Sequence, residues 1–142
     1  MNNITLKEYV GYNEEEILNL YKAVGWSNYY NNPEMLKSAY ENSLYTLGAY
    51  VDNVCIGVIR VVGDGHSVLF VQDIIILPEY QRQGIGSTLL KTILEKYENV
   101  YQIHLTTANT PKTISFYESL GFVDMAKIGC VSFTKQKNYT ES

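Results

Sequence analysis

Two glycines in a polar turn, Gly84 and Gly86, are the residues whose type and spacing most clearly suggest chemistry. The turn follows an apolar run that ends at Leu77 and precedes a helical pattern that begins at Ile85. Because glycine has no Cβ atom, a ligand can approach the backbone closely, and the first N–H groups of the helix have no partner inside it. The helix dipole adds positive potential at the same end. The sequence therefore predicts a site for a phosphate or a pyrophosphate.

The neighbouring residues separate three kinds of phosphate site. A P-loop needs a lysine followed by serine or threonine after its last glycine, but Ser87 follows Gly86 directly. A dinucleotide-binding fingerprint needs a third glycine near Leu89, where the sequence has none. The pattern present is Gln-x-x-Gly-x-Gly, formed by Gln81, Gly84 and Gly86 after a Pro-Glu-Tyr tripeptide. This pattern resembles the acyl-CoA signature of the GNAT N-acetyltransferase superfamily; an ordinary glycine-rich strand-to-helix turn is the alternative.

A second segment is similar to the same family. Asn109 precedes the sequence Phe116-Tyr117 and, after three residues, Gly121-Phe122, which resembles the family's Asn followed by Phe-Tyr-x-x-x-Gly-Phe. The resemblance extends over about residues 3–134 in the expected order of motifs. It implies the GNAT fold, an α/β (α+β) architecture with a mixed central sheet flanked by about four helices.

The resemblance implies contacts for coenzyme A (CoA). The pantetheine arm is expected to lie along the backbone of Ile74, Ile75 and Ile76 as an added strand. Asn109 is expected to contact the same arm, with a simple turn asparagine as the alternative. Arg82 is expected either to reach a phosphate oxygen or to remain solvated. The pyrophosphate is expected on the N–H groups of the turn, namely those of Gln81, Arg82, Gln83, Gly84, Ile85, Gly86 and Ser87.

Two side chains are candidates for proton transfer. An alkylamine with a pKa of about 10.4 is protonated at neutral pH, and only its free base attacks a thioester, so a proton acceptor is useful. Asp73 is a lone carboxylate in an apolar strand, which predicts either this base or a structural residue that binds backbone N–H groups. Tyr117 matches the family's tyrosine that protonates the leaving CoA thiolate; a packed helix aromatic is the alternative. A backbone N–H near Ile75 is expected to stabilise the oxyanion.

The acceptor site is expected in an aromatic loop before the second helix. Trp26, Tyr29 and Tyr30 offer π faces to an ammonium group or an aryl ring. Gly25-Trp26, the later Asp73 and the small size resemble a bacterial branch related to arylalkylamine-type and plastid serotonin-type acetyltransferases. An apolar anchor that packs the loop onto the sheet explains Trp26 equally well.

Periodicity predicts the elements that position these residues. Strands are expected at 4–9, 44–51, 54–62, 67–77 and 102–107, with 102–107 parallel to 67–77. Helices are expected after Asn13, from Asn32-Pro33, after Gly84 and after Thr110. The strand 67–77 is apolar on both faces apart from two residues, which predicts a central position. Segments 122–125 and 129–133 are expected to add an antiparallel edge, followed by a polar tail from 135 to 142.

Length and composition restrict the class of protein. The 142 residues fit a single domain, and a net charge of −4 without a basic run argues against nucleic-acid binding. No apolar run has the ~18 residues needed to cross a bilayer, and the N-terminus lacks a signal-peptide pattern, so a cytoplasmic location is expected. Cys55 and Cys130 lack CxxC spacing and are expected to be buried free thiols. No metal ligand set is evident.

The resemblance implies an enzyme that transfers acetyl from acetyl-CoA to a primary amine in a direct ternary complex, without metal. Another acyl group, or a protein lysine as acceptor, is the nearest alternative. A non-catalytic acyl-CoA-binding or regulatory module is the alternative from a different class, although it would need neither Asp73 nor Tyr117. A homodimer through the C-terminal strands is possible by analogy with the family.

Overall fold

A five-stranded mixed sheet organises the computed structural model, which describes residues 3–137. Its strands are β1 (Thr5–Glu8), β2 (Tyr45–Val51), β3 (Val54–Gly63), β4 (Val68–Ile76) and β5 (Gln102–Leu105), in that spatial order. The first four pair antiparallel, and β5 pairs parallel to β4. The helices are α1 (Glu14–Ala23), α2 (Ser27–Tyr30), α3 (Pro33–Glu41), α4 (Ile85–Lys96) and α5 (Pro111–Ser119), with 3-10 turns at Pro78–Tyr80 and Met125–Ile128. The expected mixed α/β architecture is confirmed.

Each face of the sheet carries its own apolar core. On one face, α4 buries Leu89, Leu90 and Ile93 against side chains of β2, β3 and β4, and α5 packs at the margin. On the other face, α1 and α3 bury Ile17 and Leu36 against β3 and β4. Because the helices cover both faces, a site can form only at the sheet's edges and ends.

Local sequence signals explain where several elements begin and turn. Asn13 caps α1 by accepting a hydrogen bond from the Glu16 N–H at 3.1 Å. The Glu16 carboxylate does not return the bond to the Asn13 N–H in a reciprocal capping box, because it accepts instead from the Tyr9 hydroxyl at 2.9 Å and the Cys55 N–H at 3.1 Å. Asp52 and Asn53 adopt φ angles of 50° and 66°, as a two-residue hairpin turn requires. The predicted aromatic loop contains the short helix α2.

A β-bulge at Gln72 determines which way β4 faces. Arg60 of β3 pairs with Asp73, whereas the next residue, Val61, pairs with Val71, so Gln72 is the extra residue. Side chains alternate along a strand, and one extra residue therefore exchanges the faces. Val71 accordingly belongs to the core on the α4 side, whereas Ile75 belongs to the core on the α1–α3 side.

Two predictions about the sheet are wrong. β3 is the middle strand, and β4 is fourth of five, because β5 alone adds to its far side within residues 3–137. The expected edge strands at 122–125 and 129–133 are absent from that range; a 3-10 turn capped by Asp124 and a left-handed Gly129 (φ 84°) occupy this region. Val131 and Phe133 are 66% and 91% exposed, so the apolar side chains of this alternating segment do not pack on the core. Of the predicted tail, residues 138–142 lie outside the described residues.

Candidate active site

An unpaired stretch of β4 provides the first part of the site. The parallel ladder between β4 and β5 ends with Val71 paired to Leu105, although β4 continues to Ile76. On the side away from β3, the backbone from residue 73 to 76 therefore faces no strand of the described chain. The Gln81 side chain donates to the Ile76 carbonyl at 2.9 Å and so binds the turn to the strand's end. An open edge of this kind can bind an extended ligand through backbone hydrogen bonds.

The glycine turn lies directly beyond this open edge. Arg82 and Gly84 have φ angles of 63° and 79°, and the left-handed Gly84 is the N-cap of α4. Gly84 has no side chain to cap the helix, and its carbonyl accepts the first helical bond from the Thr88 N–H at 3.0 Å. The preceding N–H groups of α4 consequently have no acceptor within the helix. A Cβ placed on Gly86 would lie 4.0 Å from both Ile76 Cγ1 and Phe116 Cζ, so the space in front of the turn is open.

These features fit the pyrophosphate and pantetheine parts of CoA. An uncapped helix start offers N–H donors and a positive dipole end to an anion, and the neighbouring open edge offers donors and acceptors to an amide-bearing chain. The open edge of β4 and the glycine turn are adjacent, because the Gln81 side chain in the turn hydrogen-bonds the carbonyl of Ile76 at the end of β4. Arg82 is exposed at the turn.

Asn109 and Tyr117 line one groove of about 910 Å³ between β5, α5 and the C-terminal segment. α5 begins at Pro111 and turns Tyr117 inward, between the rings of Phe116 and Phe122 at centroid distances of 4.9 and 5.9 Å. Burial raises the pKa of Tyr117 above 10.0, and a side-chain hydrogen bond with Thr107 acts in the opposite direction. The phenol therefore keeps its proton at neutral pH, as a general acid must.

Asp73 lies on the opposite face of β4 and is not a free carboxylate. It is 2% exposed, and its Oδ2 atom accepts from Arg60 Nε at 2.8 Å and from the Tyr21 hydroxyl at 2.7 Å. The Tyr21 hydroxyl also lies 2.9 Å from the Tyr40 hydroxyl. Arg60 Nη1 donates to Ser43 Oγ at 3.1 Å. We call Arg60, Asp73, Tyr21 and Tyr40 the buried polar cluster.

The pKa values of three members of this cluster, Arg60, Tyr21 and Tyr40, are raised. Desolvation is the largest influence on the pKa of Arg60 and lowers it, but the Asp73 carboxylate together with Tyr21 and Tyr40 raises it, and the net shift of the pKa is upward. Burial, with the neighbouring hydroxyl and carboxylate adding to it, raises the pKa of Tyr21. Burial likewise raises the pKa of Tyr40. The cluster is therefore an ion pair of Arg60 and Asp73, with Arg60 Nε 2.8 Å from Asp73 Oδ2, in contact with two neutral phenols.

Sequence reasoning missed Arg60, Tyr21 and Tyr40. The available signal was Arg60 itself, a single cation in the otherwise apolar strand β3. Its partner could not be identified from the sequence, because the pairing depends on the bulge in β4.

The predicted acceptor residues lie on the same face as Asp73. Trp26 packs on Tyr21 and Tyr29 at centroid distances of 5.9 and 6.0 Å. The Tyr29 hydroxyl accepts a hydrogen bond from Gln72 Nε2 at 3.3 Å, which connects α2 to the bulge. Tyr30 packs against the same core. The structure thus brings Trp26 and Tyr29 to β4, on the face opposite Tyr117.

Other predictions concern metals, membranes and thiols. Between residues 3 and 137, no group of three or more His, Cys, Asp and Glu side chains is arranged to hold a metal ion. None of the helices in that range has the length and apolarity of a membrane span. Cys55 is buried as expected, but Cys130 is exposed because the strand predicted to contain it is not formed.

Comparisons with known proteins match both the sequence and the fold. The model of the Acetyltransferase (GNAT) family matches residues 11–122. A solved GNAT family acetyltransferase from Streptococcus pneumoniae is 42% identical with a TM-score of 0.86, covering 96% of this chain and 100% of that one. The uncharacterized N-acetyltransferase ycf52 of Gracilaria tenuistipitata is 28% identical over 117 residues, or 78% of this chain and 62% of the relative. This chain spans about three fifths of the length of the first two curated relatives, at 62% and 61%.

A more distant likeness involves a bound cofactor. The PaiA N-acetyltransferase of Thermoplasma acidophilum, solved in complex with coenzyme A, has a TM-score of 0.68 and covers 85% of this chain and 90% of its own. At 19% identity this likeness concerns the fold alone.

Proposed function

Because this chain belongs to the GNAT acetyltransferase family, we propose that it transfers an acetyl group from acetyl-CoA to a primary amine. The observation that carries the proposal is the open edge of β4 running into the uncapped start of α4. This arrangement has one place for an extended amide chain and, next to it, one place for a pyrophosphate. A relative of the same fold has been solved with coenzyme A bound, which supports the same ligand here.

In the proposed complex, the backbone from Ile74 to Ile76 binds the pantetheine arm, and the N–H groups at the start of α4 bind the pyrophosphate. Asn109 lines the groove beside β5, which supports the proposal that it binds an amide of the arm. The thioester then lies near the point where β4 and β5 diverge, at Val71 and Leu105. A backbone N–H near Ile75 is proposed to stabilise the oxyanion.

Transfer is proposed to occur by direct attack. The amine nitrogen forms a bond to the thioester carbonyl carbon, and the carbon–sulfur bond breaks as the thiolate leaves. Tyr117 gives its phenolic proton to the thiolate sulfur. The raised pKa of Tyr117 supports this role, since the acid must be protonated before each turnover.

The amine also loses a proton during the transfer, and Asp73 is the predicted acceptor, although its carboxylate already makes other contacts. One oxygen of its carboxylate already accepts from Arg60 and Tyr21, and the side chain is buried. An amine would have to displace a short hydrogen bond to reach that oxygen. Proton acceptance by Asp73 stays a prediction, and the ion pair supports a positioning role for it.

A non-catalytic acyl-CoA-binding module is the competing function, and turnover separates the two. Purified protein is incubated with acetyl-CoA and a panel of aryl-ethylamines, polyamines, amino sugars and lysine peptides, while released thiol is measured. Amine-dependent thiol release supports the proposal. Tight CoA binding by calorimetry without release on any amine supports the binding module, and release with a lysine peptide alone identifies a protein acceptor.

A further inference from the structure

We propose that the buried polar cluster holds the β4 bulge in register so that Gln72 and Tyr29 face the acceptor amine and select it. The proposal rests on the proposed function and deepens it, because it names residues that decide which amine is used. Arg60, Asp73 and Tyr21 act through Gln72 and are therefore positioning residues. Gln72 is the specificity residue.

A gain in stability alone does not explain why the chain buries this polar cluster. Arg60 and Asp73 are 5% and 2% exposed, and Tyr21 is fully buried. Removing two charges from water costs free energy, and the mutual attraction of the charges often does no more than offset that cost. A buried ion pair is therefore weak evidence for added stability. A pair of this kind can instead specify one arrangement of the chain, which is the role inferred here.

The arrangement that the cluster specifies is the register of β4. Tyr21 comes from α1, Tyr40 from α3, Arg60 from β3 and Asp73 from β4, so the hydrogen bonds fasten four elements at one point. Asp73 directly follows the extra residue of the bulge. If the bulge moved by one residue, Asp73 would turn to the α4 face and its contact with Arg60 would be lost.

Fixing the bulge places Gln72 where the two proposed ligands meet. Gln72 is exposed and follows Val71, the last residue of β4 that pairs with β5. Its Nε2 atom donates to the Tyr29 hydroxyl at 3.3 Å, and the Tyr29 ring lies 5.2 Å from the Tyr21 ring. The carboxamide oxygen is then the end of Gln72 suited to accept a hydrogen bond from the acceptor amine.

The composition of this corner indicates the class of acceptor. Trp26 and Tyr29 supply aromatic surface, Gln72 supplies a neutral polar group, and the cation of the cluster is already paired with Asp73 and Ser43. Because both charges of the cluster are paired, the corner favours a primary amine on an apolar or aryl body over a polycation or an amine that also carries a carboxylate.

The first experiment measures selectivity. The ratio of kcat/KM for phenylethylamine to that for spermidine is determined for wild type, Gln72→Glu and Tyr21→Phe, with Tyr97→Phe as a matched control at a ring pair outside the site. A carboxylate at position 72 is expected to lower the ratio at least tenfold by favouring the polycation. Tyr21→Phe is expected to raise the KM for phenylethylamine about tenfold while the Kd of CoA changes less than twofold. Unchanged ratios and KM values in both variants overturn the proposal.

The second experiment needs no turnover, so it distinguishes failure of this proposal from failure of the proposed function. Trp26 is the single tryptophan of the chain, so its fluorescence reports on the corner directly. Phenylethylamine is expected to change the emission of wild type saturably in the presence of CoA, and to need about tenfold more amine for half of that change in Tyr21→Phe. Amide hydrogen exchange of Tyr21→Phe is expected to speed up at residues 71–74 and 26–30 but not in α4. Unchanged exchange at residues 71–74 and 26–30 overturns the positioning role, whatever the enzyme activity is.

Discussion

Replacing Tyr117 with phenylalanine removes one hydroxyl and tests the proposed general acid. The ring packs between Phe116 and Phe122, and phenylalanine keeps that packing. The hydroxyl's side-chain hydrogen bond with Thr107 is lost, which costs about 1 kcal/mol of stability. The variant is therefore expected to fold, and a change in rate can be assigned to the missing proton.

The size of the effect follows from the leaving group. General acid catalysis contributes typically 10²- to 10⁴-fold. A thiol has a pKa of about 8.5, so its thiolate leaves with less help than an alkoxide or an amide nitrogen would need. We expect the lower end of the range, a loss in kcat of about 100-fold, equivalent to about 2.7 kcal/mol of transition-state stabilisation. The Kd of CoA is expected to change little, because the proposed pyrophosphate contacts lie at the start of α4.

The assay is steady-state thiol release at saturating amine, with CoA affinity measured by calorimetry. Because burial raises the pKa of Tyr117 above 10.0, the acid stays protonated and its contribution is lost only as the pH rises through that higher value. No alkaline fall in rate that depends on Tyr117 is therefore expected below pH 10. An unchanged kcat in Tyr117→Phe would remove the residue from the mechanism, and a weakened CoA affinity with unchanged kcat would make it a binding residue.

Three further changes test other parts of the site. Gly86→Val is expected to abolish CoA binding in calorimetry while the circular dichroism spectrum stays that of wild type, because the nearest atoms to an added Cβ are 4.0 Å away; retained affinity would place the phosphates elsewhere. Asp73→Asn is expected to lower the rate without moving the pH profile, whereas an alkaline shift of the profile would establish the base role. Arg60→Met leaves a buried carboxylate without its cation and is expected to destabilise the fold by about 3–5 kcal/mol in urea unfolding; a loss below about 1 kcal/mol would mean that water reaches Asp73.

The parts of the molecule that could be predicted from the sequence depend on short stretches of chain. The turn that ends at Gly84 and the cap of α1 are specified by neighbouring residues, and the structure confirms both. The pairing of Arg60 with Asp73 depends on a bulge between two strands, and no local pattern reports which residue is the extra one. The wrong prediction at residues 129–133 has a related cause, because an alternating pattern forms a strand only where a neighbour pairs with it.

The bulge also explains how one strand could serve the two proposed ligands. Without an extra residue, every second side chain of β4 would face the same layer throughout its length. Because Gln72 exchanges the faces, Val71 packs under α4 while Asp73 and Ile75 face α1 and α3. The exchange occurs at the residue where β5 separates from β4. The proposed cofactor edge and the aromatic corner thus meet at one point of the chain, and a substitution that straightens β4 there is expected to impair acceptor selection before it impairs CoA binding.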